Sequence, residues 1–353
     1  KQGPKDIPVK NLTFKGIKFI HNERDTWTKT DAGIQHDWEM FDKNNAYFRL
    51  RGAVNCRIEE CEFSSGGGTA IRLDLHCQHN TVQNNYIHDI GGTGIFLCGY
   101  GAGTKDVNKK NKIYNNLIER SGRLYWHNAG ITITQSGENH VAHNHIREVS
   151  YTGMLITGYR PKYFQQRMKN ILDEYDKTIQ NGEEWEAKNA TGIRECSRSI
   201  RYHEIGDLSR FYSHEEYENE AKAVAQPLYR YQPFVHARYN TIEYNEINNV
   251  LQTLGDGNAI YISDTGPYNV IRHNLIHHTE GVHGVGIRTD AITCDTYVGY
   301  NIVWKCSGGL AVSHNNKAEN NIIADVGGVS FTEGGKYDPK RIEVIIDYRR
   351  TEH

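Results

Sequence analysis

The phrase Asn116-Leu-Ile118 returns along this 353-residue chain with only its middle and closing residues changed. Its copies are Asn85-Tyr-Ile87, Asn144-His-Ile146, Asn245-Glu-Ile247, Asn274-Leu-Ile276, Asn301-Ile-Val303 and Asn321-Ile-Ile323. Apart from one long step, successive copies lie about 20 to 31 residues apart, a period typical of solenoids built from stacked repeats.

Each copy is followed, after Gly or Ala, by a strand in which apolar residues alternate with others, as in Gly94-Ile-Phe-Leu97 and Ala259-Ile-Tyr-Ile262. An apolar residue also precedes each copy, which gives three short strands per repeat. This pattern predicts an all-β fold, a right-handed parallel β-helix with three-sided coils. Because coils stack about 4.8 Å apart, the recurring Asn is expected to form a structural hydrogen-bonded ladder and not to bind substrate.

One step of 101 residues, from Asn144 to Asn245, interrupts the period. We interpret it as one coil plus a partly helical insertion, so the chain divides into coils over 1–158, an insertion over 159–234 and further coils over 235–353 of one continuous solenoid. Long excursions from a solenoid usually lie on its functional face; the alternative is an inert surface lobe. Strand-like sequence close to both ends predicts a piece of a longer protein.

Composition excludes several partners. The formal net charge is −2 without basic blocks, which argues against nucleic acid, and no apolar stretch reaches the length of a membrane span. The seven cysteines form no metal-binding or disulfide motif and are interpreted as small apolar core residues. The oligomeric state is left open.

Strand parity identifies candidate chemistry. If the Ile residues of the Gly-x-apolar strands point inward, their neighbours point outward to solvent on one face. Asp264 and Asp290 end successive strands there and are predicted as the catalytic carboxylates, because paired acids cleave glycosidic bonds. Asp256, at the turn entering the strand, can replace either one, and Asp264 has a simpler alternative as a turn residue.

Further residues are predicted to bind substrate. Those flanking the acids are Tyr261, Arg288 and His283, and a second cluster earlier on the same face contains Arg72, Asp74 and His76. A loop between the two clusters carries Trp126 and His127, and Trp126 offers a stacking platform for a sugar ring. The alternative for Trp126 is a loop aromatic that covers the edge of a coil.

The coils, together with Ile71-Arg-Leu-Asp-Leu-His76, Gly255-Asp-Gly-Asn-Ala-Ile-Tyr-Ile262 and Gly286-Ile-Arg-Thr-Asp290, resemble the pectate-lyase-like β-helix superfamily, and within it β-helical glycoside hydrolases of families 120 and 141. The resemblance implies a glycosidase with paired acids on neighbouring coils, a carbohydrate substrate, no cofactor or metal, and a secreted or periplasmic location.

Two other functions fit the same pattern. A polysaccharide lyase would use Ca²⁺ to neutralise a uronate carboxylate and Arg or Lys as the base, with Asp290 and Arg288 as its candidate residues. A carbohydrate-binding β-helix without catalysis would need neither acid.

Overall fold

The computed structural model describes residues 7–24, 46–100, 105–158, 235–279, 281–290, 293–313 and 315–331. These residues form parallel strands throughout. In chain order the strands are β1 (Val9–Lys10), β2 (Thr13–Lys15), β3 (Lys18–Ile20), β4 (Ala46–Val54), β5 (Arg57–Glu59), β6 (Glu62–Gly66), β7 (Thr69–Gln78), β8 (Thr81–Gln83), β9 (Tyr86–Ile90), β10 (Ile95–Cys98), β11 (Lys112–Tyr114), β12 (Leu117–Glu119), β13 (Ile131–Thr134), β14 (His140–Ala142), β15 (His145–Arg147), β16 (Met154–Thr157), β17 (Thr241–Glu243), β18 (Glu246–Asn248), β19 (Asn258–Ser263), β20 (Val270–Arg272), β21 (Leu275–Thr279), β22 (Val285–Asp290), β23 (Tyr297–Gly299), β24 (Ile302–Cys306), β25 (Gly308–Val312), β26 (Lys317–Glu319), β27 (Ile322–Val326) and β28 (Ser330–Phe331).

Every third strand belongs to the same sheet. Sheet A runs from β1 through β4, β7 and so on to β28, sheet B from β2 to β26, and sheet C from β3 to β27. Each coil therefore contributes one strand to each sheet, and the chain winds from B to C to A. The prediction of a three-sided right-handed parallel β-helix is confirmed.

The core is a set of aliphatic columns inside the three sheets. In sheet A one column is formed by register partners from seven successive strands: Ile71, Ile95, Ile131, Met154, Ile260, Ile287 and Leu310. All are almost fully buried. Burying a side chain of this size contributes about 1.5–3 kcal/mol to stability. The residues that alternation assigns to the inside are therefore the ones whose burial stabilises the fold.

The corner between sheets B and C is the same in every coil: two residues, the first with a left-handed backbone. From β8–β9 onward the second residue is Asn, and these residues form the predicted ladder. The Asn245 Oδ1 accepts hydrogen bonds from the backbone N–H and the Nδ2 of Asn144, at 3.0 and 2.9 Å. Buried amides paired in this way leave few unsatisfied polar groups at a tight corner.

A second asparagine ladder, which the sequence analysis missed, lies at the corner between sheets A and B. It contains Asn80, Asn111, Asn139, Asn240 and Asn269. Each residue lies two positions before the buried aliphatic residue of a sheet B strand, the same spacing as in the recognised phrase. The sequence signal was therefore present, although it lay hidden in the upstream half of each repeat.

The solenoid is continuous across the long interruption. β16 ends at Thr157 and β17 begins at Thr241, yet β16 pairs directly with β19 and Asn144 bonds to Asn245. The extra chain thus leaves and re-enters at the corner between sheets A and B. Residues 159–234 with their predicted helices lie outside the described residues, as does the strand-like sequence near the end of the chain.

Six cysteines in the described part of the chain are buried, in keeping with their interpretation as small core residues. Among the residues that the structure describes, no helix combines the length and the apolar character needed to cross a bilayer.

Buried carboxylates on the outer faces make stability pH-dependent. Glu119 accepts hydrogen bonds from the Tyr86 hydroxyl at 2.6 Å and from the Arg147 Nε at 2.7 Å, and pairs with Arg120. Burial raises the pKa of Glu119, but these donors outweigh burial and the pKa is lowered overall. Burial likewise raises the pKa of Glu243, but Arg272 and His140 together outweigh it and the pKa is lowered overall.

We expect acid to destabilise the fold through these two groups. A carboxyl whose pKa is lower in the folded state stabilises the protein above its unfolded pKa, and that contribution is lost as pH falls. The Tm should therefore fall below about pH 4.5, and Glu119→Gln should flatten this fall while lowering Tm at neutral pH. Glu148→Gln, at a more exposed site beside the same Arg120, serves as the control. An unchanged acid slope in Glu119→Gln would contradict this account.

Candidate active site

The outward face of sheet A holds most of the predicted site residues. One outward column contains Arg72, Phe96, Leu155, Tyr261 and Arg288, and its neighbour, two residues further along each strand, contains Asp74, Ser263 and Asp290. The expectation that this face meets solvent was wrong for three of these residues: Arg72, Phe96 and Leu155 are at most 3% exposed. Parity shows which side of a strand a residue takes, but not what packs against that side.

Partly accessible polar side chains on this face occur together on β22 and on the turn before β19. The Arg288 Nη2 lies 3.2 Å from the Asp290 Oδ2, and its Nη1 lies 3.5 Å from the Asp256 Oδ1. The Tyr261 hydroxyl donates to the same Asp290 Oδ2 at 2.5 Å. We call these four residues the Arg288 cluster; it unites four predicted site residues from two neighbouring coils.

Register explains how the cluster assembles. Tyr261 is the direct partner of Arg288, and Ser263 is the partner of Asp290. The Arg288 guanidinium also lies over the Tyr261 ring, 5.6 Å from its centre. Burial, together with the neighbouring negative charge of Asp290, raises the pKa of Tyr261 far above its usual range. A hydroxyl with a raised pKa stays protonated at neutral pH and can donate to Asp290, as the 2.5 Å contact shows.

Asp264 directly follows β19, at the turn one residue beyond Ser263. Ser263, not Asp264, opposes Asp290 across the strand pair. The Asp264 side chain is fully buried and accepts a hydrogen bond from the Ser263 hydroxyl at 2.7 Å. Its backbone is left-handed, with φ of 56°, a conformation that Asp tolerates in turns. The geometry thus matches the turn alternative that the sequence left open.

The connections from sheet C to sheet A form the edge of the site. Trp126 is 43% exposed in one connection, and its neighbour His127 is buried against the ring of Tyr151, 4.4 Å between ring centres. The Tyr151 hydroxyl donates to the backbone carbonyl of Asp256 at 3.0 Å. Tyr151, missed by the sequence analysis, therefore links the Trp126 loop to the turn that carries Asp256.

His283 lies exposed in the next connection from sheet C to sheet A. That connection stacks on the Asp256 turn, because the Asp256 backbone N–H donates to the carbonyl of Val282, the residue before His283. Within the described residues, no hydrogen bond or ion pair joins the His283 side chain to the Arg288 cluster.

The second predicted cluster lies elsewhere. Asp74 is held between Arg49 at 2.5 Å and Arg72 at 3.2 Å, and the Arg72 guanidinium lies 4.6 Å from the centre of the Phe96 ring. Its strand, β7, is four strand spacings from β19 in sheet A, about 19 Å. Together with the half-buried His76, these residues cannot contact the same scissile bond as the Arg288 cluster.

A lyase would need a calcium ion beside these acids. Among the described residues, no group of three or more His, Cys, Asp or Glu side chains is placed to hold a metal ion. Asp256 and Asp290 both contact Arg288, and its positive charge would repel a divalent cation bound between them. The pair as arranged does not fit a calcium site.

Comparison with known proteins supports the fold. Residues 9–167 match the family model described as a right-handed β-helix region. No curated protein matches the sequence.

Among solved structures, a protein titled glycoside hydrolase matches with 14% identity and a TM-score of 0.52, covering 95% of this chain and 50% of its own. A DFA-IIIase from Arthrobacter chlorophenolicus A6 matches with 9% identity and a TM-score of 0.49, covering 97% and 63%. A mannuronan C-5 epimerase A-module from Azotobacter vinelandii matches with 8% identity and a TM-score of 0.48, and the match covers 81% of this chain and 54% of the module. The chain thus spans half the length of the glycoside hydrolase, and at this identity the likeness establishes the right-handed β-helix alone.

Proposed function

We propose that this chain is a carbohydrate-active enzyme, specifically a glycoside hydrolase whose catalytic acids are Asp290 and Asp256. The observation that carries the proposal is the Arg288 cluster, in which two carboxylates contact one guanidinium on the face where the coils present their outward columns. The solved structure titled glycoside hydrolase shares this fold and supports the choice of substrate class.

The spacing of the two carboxylates suits glycoside hydrolysis. Both lie against the terminal nitrogens of a single planar guanidinium, so the contacting oxygens are at most about 9 Å apart. Glycosidases hold their two acids about 5 Å apart when they retain anomeric configuration and about 6.5–9.5 Å apart when they invert it. The pair is therefore close enough to act on opposite sides of one glycosidic bond.

The two acids have different surroundings, which assigns their roles. Asp290 accepts a hydrogen bond from the Tyr261 hydroxyl and forms an ion pair with the Arg288 guanidinium. Both partners stabilise an ionised carboxylate. We assign Asp290 as the group that attacks the anomeric carbon or activates water. Asp256 is more exposed and more loosely paired, and we assign it to protonate the leaving glycosidic oxygen.

Trp126 extends the site along the solenoid axis. It lies at the same edge as Asp256, joined to it through His127 and Tyr151. An exposed indole presents a flat apolar surface of the kind that stacks against a sugar ring. We assign Trp126 to a binding subsite beyond the cleavage point.

The assignment can be tested with a panel of neutral and uronate-containing polysaccharides. We expect new reducing ends on a neutral glycan without ultraviolet absorbance from an unsaturated product. An unsaturated product that disappears with EDTA would instead establish the lyase, and glycan affinity without any product would establish a binding protein.

A further inference from the structure

Asn258, the first residue of β19, faces the same side of sheet A as the Arg288 cluster. Register places it in one column with Thr152 of the preceding coil and with Ala129 of the coil before that. Ala129 packs with Leu155 and Tyr261 outside the main core. The column that runs through Asn258 therefore borders the outward face, and Asn258 lies two residues after Asp256 and three before Tyr261 in the sequence.

The Asn258 side chain is fully buried, and neither its Oδ1 nor its Nδ2 has a hydrogen-bond partner in the part of the chain that the structure describes. The neighbours in its column do not supply one. The Thr152 hydroxyl already accepts from the Asn258 backbone N–H at 3.4 Å, and Val285 on the other side has an apolar side chain.

Asn258 differs from the buried asparagines of the ladders, whose side chains are paired. Asn245, buried to the same degree, uses its Nδ2 on two backbone carbonyls and on the next ladder amide. Leaving a buried polar group without a partner costs about 1–3 kcal/mol, and Asn258 carries two such groups. Asn258 keeps both unpaired groups although each costs stability, and it lies beside candidate catalytic residues. This combination points to a ligand that supplies the missing hydrogen-bond partners.

We propose that Asn258 binds substrate directly, its Oδ1 accepting from one sugar hydroxyl and its Nδ2 donating to another. This inference rests on the proposed function and deepens it, because it assigns a hydroxyl-recognition group beside the cleavage point. An uncharged amide offers one acceptor and two donors, which matches adjacent hydroxyls of a neutral sugar. The amide is fully buried in this structure, so this binding requires that the entering sugar displace a side chain that covers it.

The test compares Asn258→Leu with wild type on the glycan found by the panel. Leucine has a similar volume and removes both unpaired groups, so Tm should stay the same or rise, while kcat/KM should fall at least tenfold, mainly through KM. Thr296→Val is the matched control: its hydroxyl is also buried and without a partner in the described chain, but it precedes a sheet B strand. This variant should keep wild-type kinetics.

The outcomes distinguish a failure of the role of Asn258 from a failure of the proposed hydrolase function. An active wild type with unchanged kcat and KM in Asn258→Leu would overturn the role of Asn258 and leave the hydrolase standing. A wild type without turnover or glycan affinity would overturn the proposed function and this inference with it. If Asn258→Leu fails to fold, Asn258→Ala is measured under the same criteria.

Discussion

Asp290→Asn lowers kcat by about 10³-fold, the range expected when one member of an acid and base pair is lost. The amide keeps the shape of the carboxylate and can still accept from Tyr261, so the solenoid should remain folded. What it loses is the negative charge that Arg288 and Tyr261 stabilise at 3.2 and 2.5 Å. Steady-state kinetics on the substrate found by the panel, with a thermal melt beside it, measures both effects.

Two comparisons sharpen this prediction. Asp325→Asn changes an exposed residue with a left-handed backbone on sheet C and should leave kcat unchanged. Asp256→Asn should also cut kcat strongly, whereas Asp264→Asn, at the buried turn, should do so less. Full activity in Asp290→Asn would refute our assignment, and a larger loss in Asp264→Asn than in Asp256→Asn would return the role of partner acid to Asp264.

Asn245→Ala lowers the free energy of unfolding by about 3 kcal/mol, because the groups it leaves behind are buried without partners. The substitution removes the acceptor for the Asn144 backbone N–H and the donor to the Val141 carbonyl, both at 3.0 Å. Its ladder neighbours lie on the coils on either side, so the loss falls in the middle of the solenoid. Denaturant unfolding monitored by circular dichroism gives the free energy.

Asn115→Gly provides the control for this prediction. Asn115 lies at the first position of the same type of corner, with φ of 50° and an exposed side-chain bond to Asn84. Glycine adopts this backbone conformation without strain, so the change should cost less than about 1 kcal/mol. Equal losses in the two variants would mean that the ladder contributes no more than a surface amide.

The sequence predicted the fold well because its period and parity are local properties. The spacing from Asn to the following Ile determines the corner, and alternation determines which side chains point inward, as the column from Ile71 to Leu310 shows. Parity also placed Tyr261, Arg288 and Asp290 on one face, and register brought them into contact.

Other parts of the site could not be predicted from the sequence, because they depend on connections whose lengths do not repeat from coil to coil. Tyr151 meets His127 and the Asp256 turn only through the stacking of loops of unequal length. The partner of Asp290 is Ser263 because of register, which pattern alone leaves uncertain by one residue. Burial of Arg72 likewise depends on what covers the strand, which alternation does not encode.

The invariant two-residue corner between sheets B and C has a consequence for redesign. Its left-handed residue and stacked Asn admit no extra chain, whereas the other two corners already vary in length from coil to coil. New loops for altered specificity should therefore be grafted only at the borders of sheet A, while the opposite ridge serves as a rigid spine along which whole coils can be added or removed.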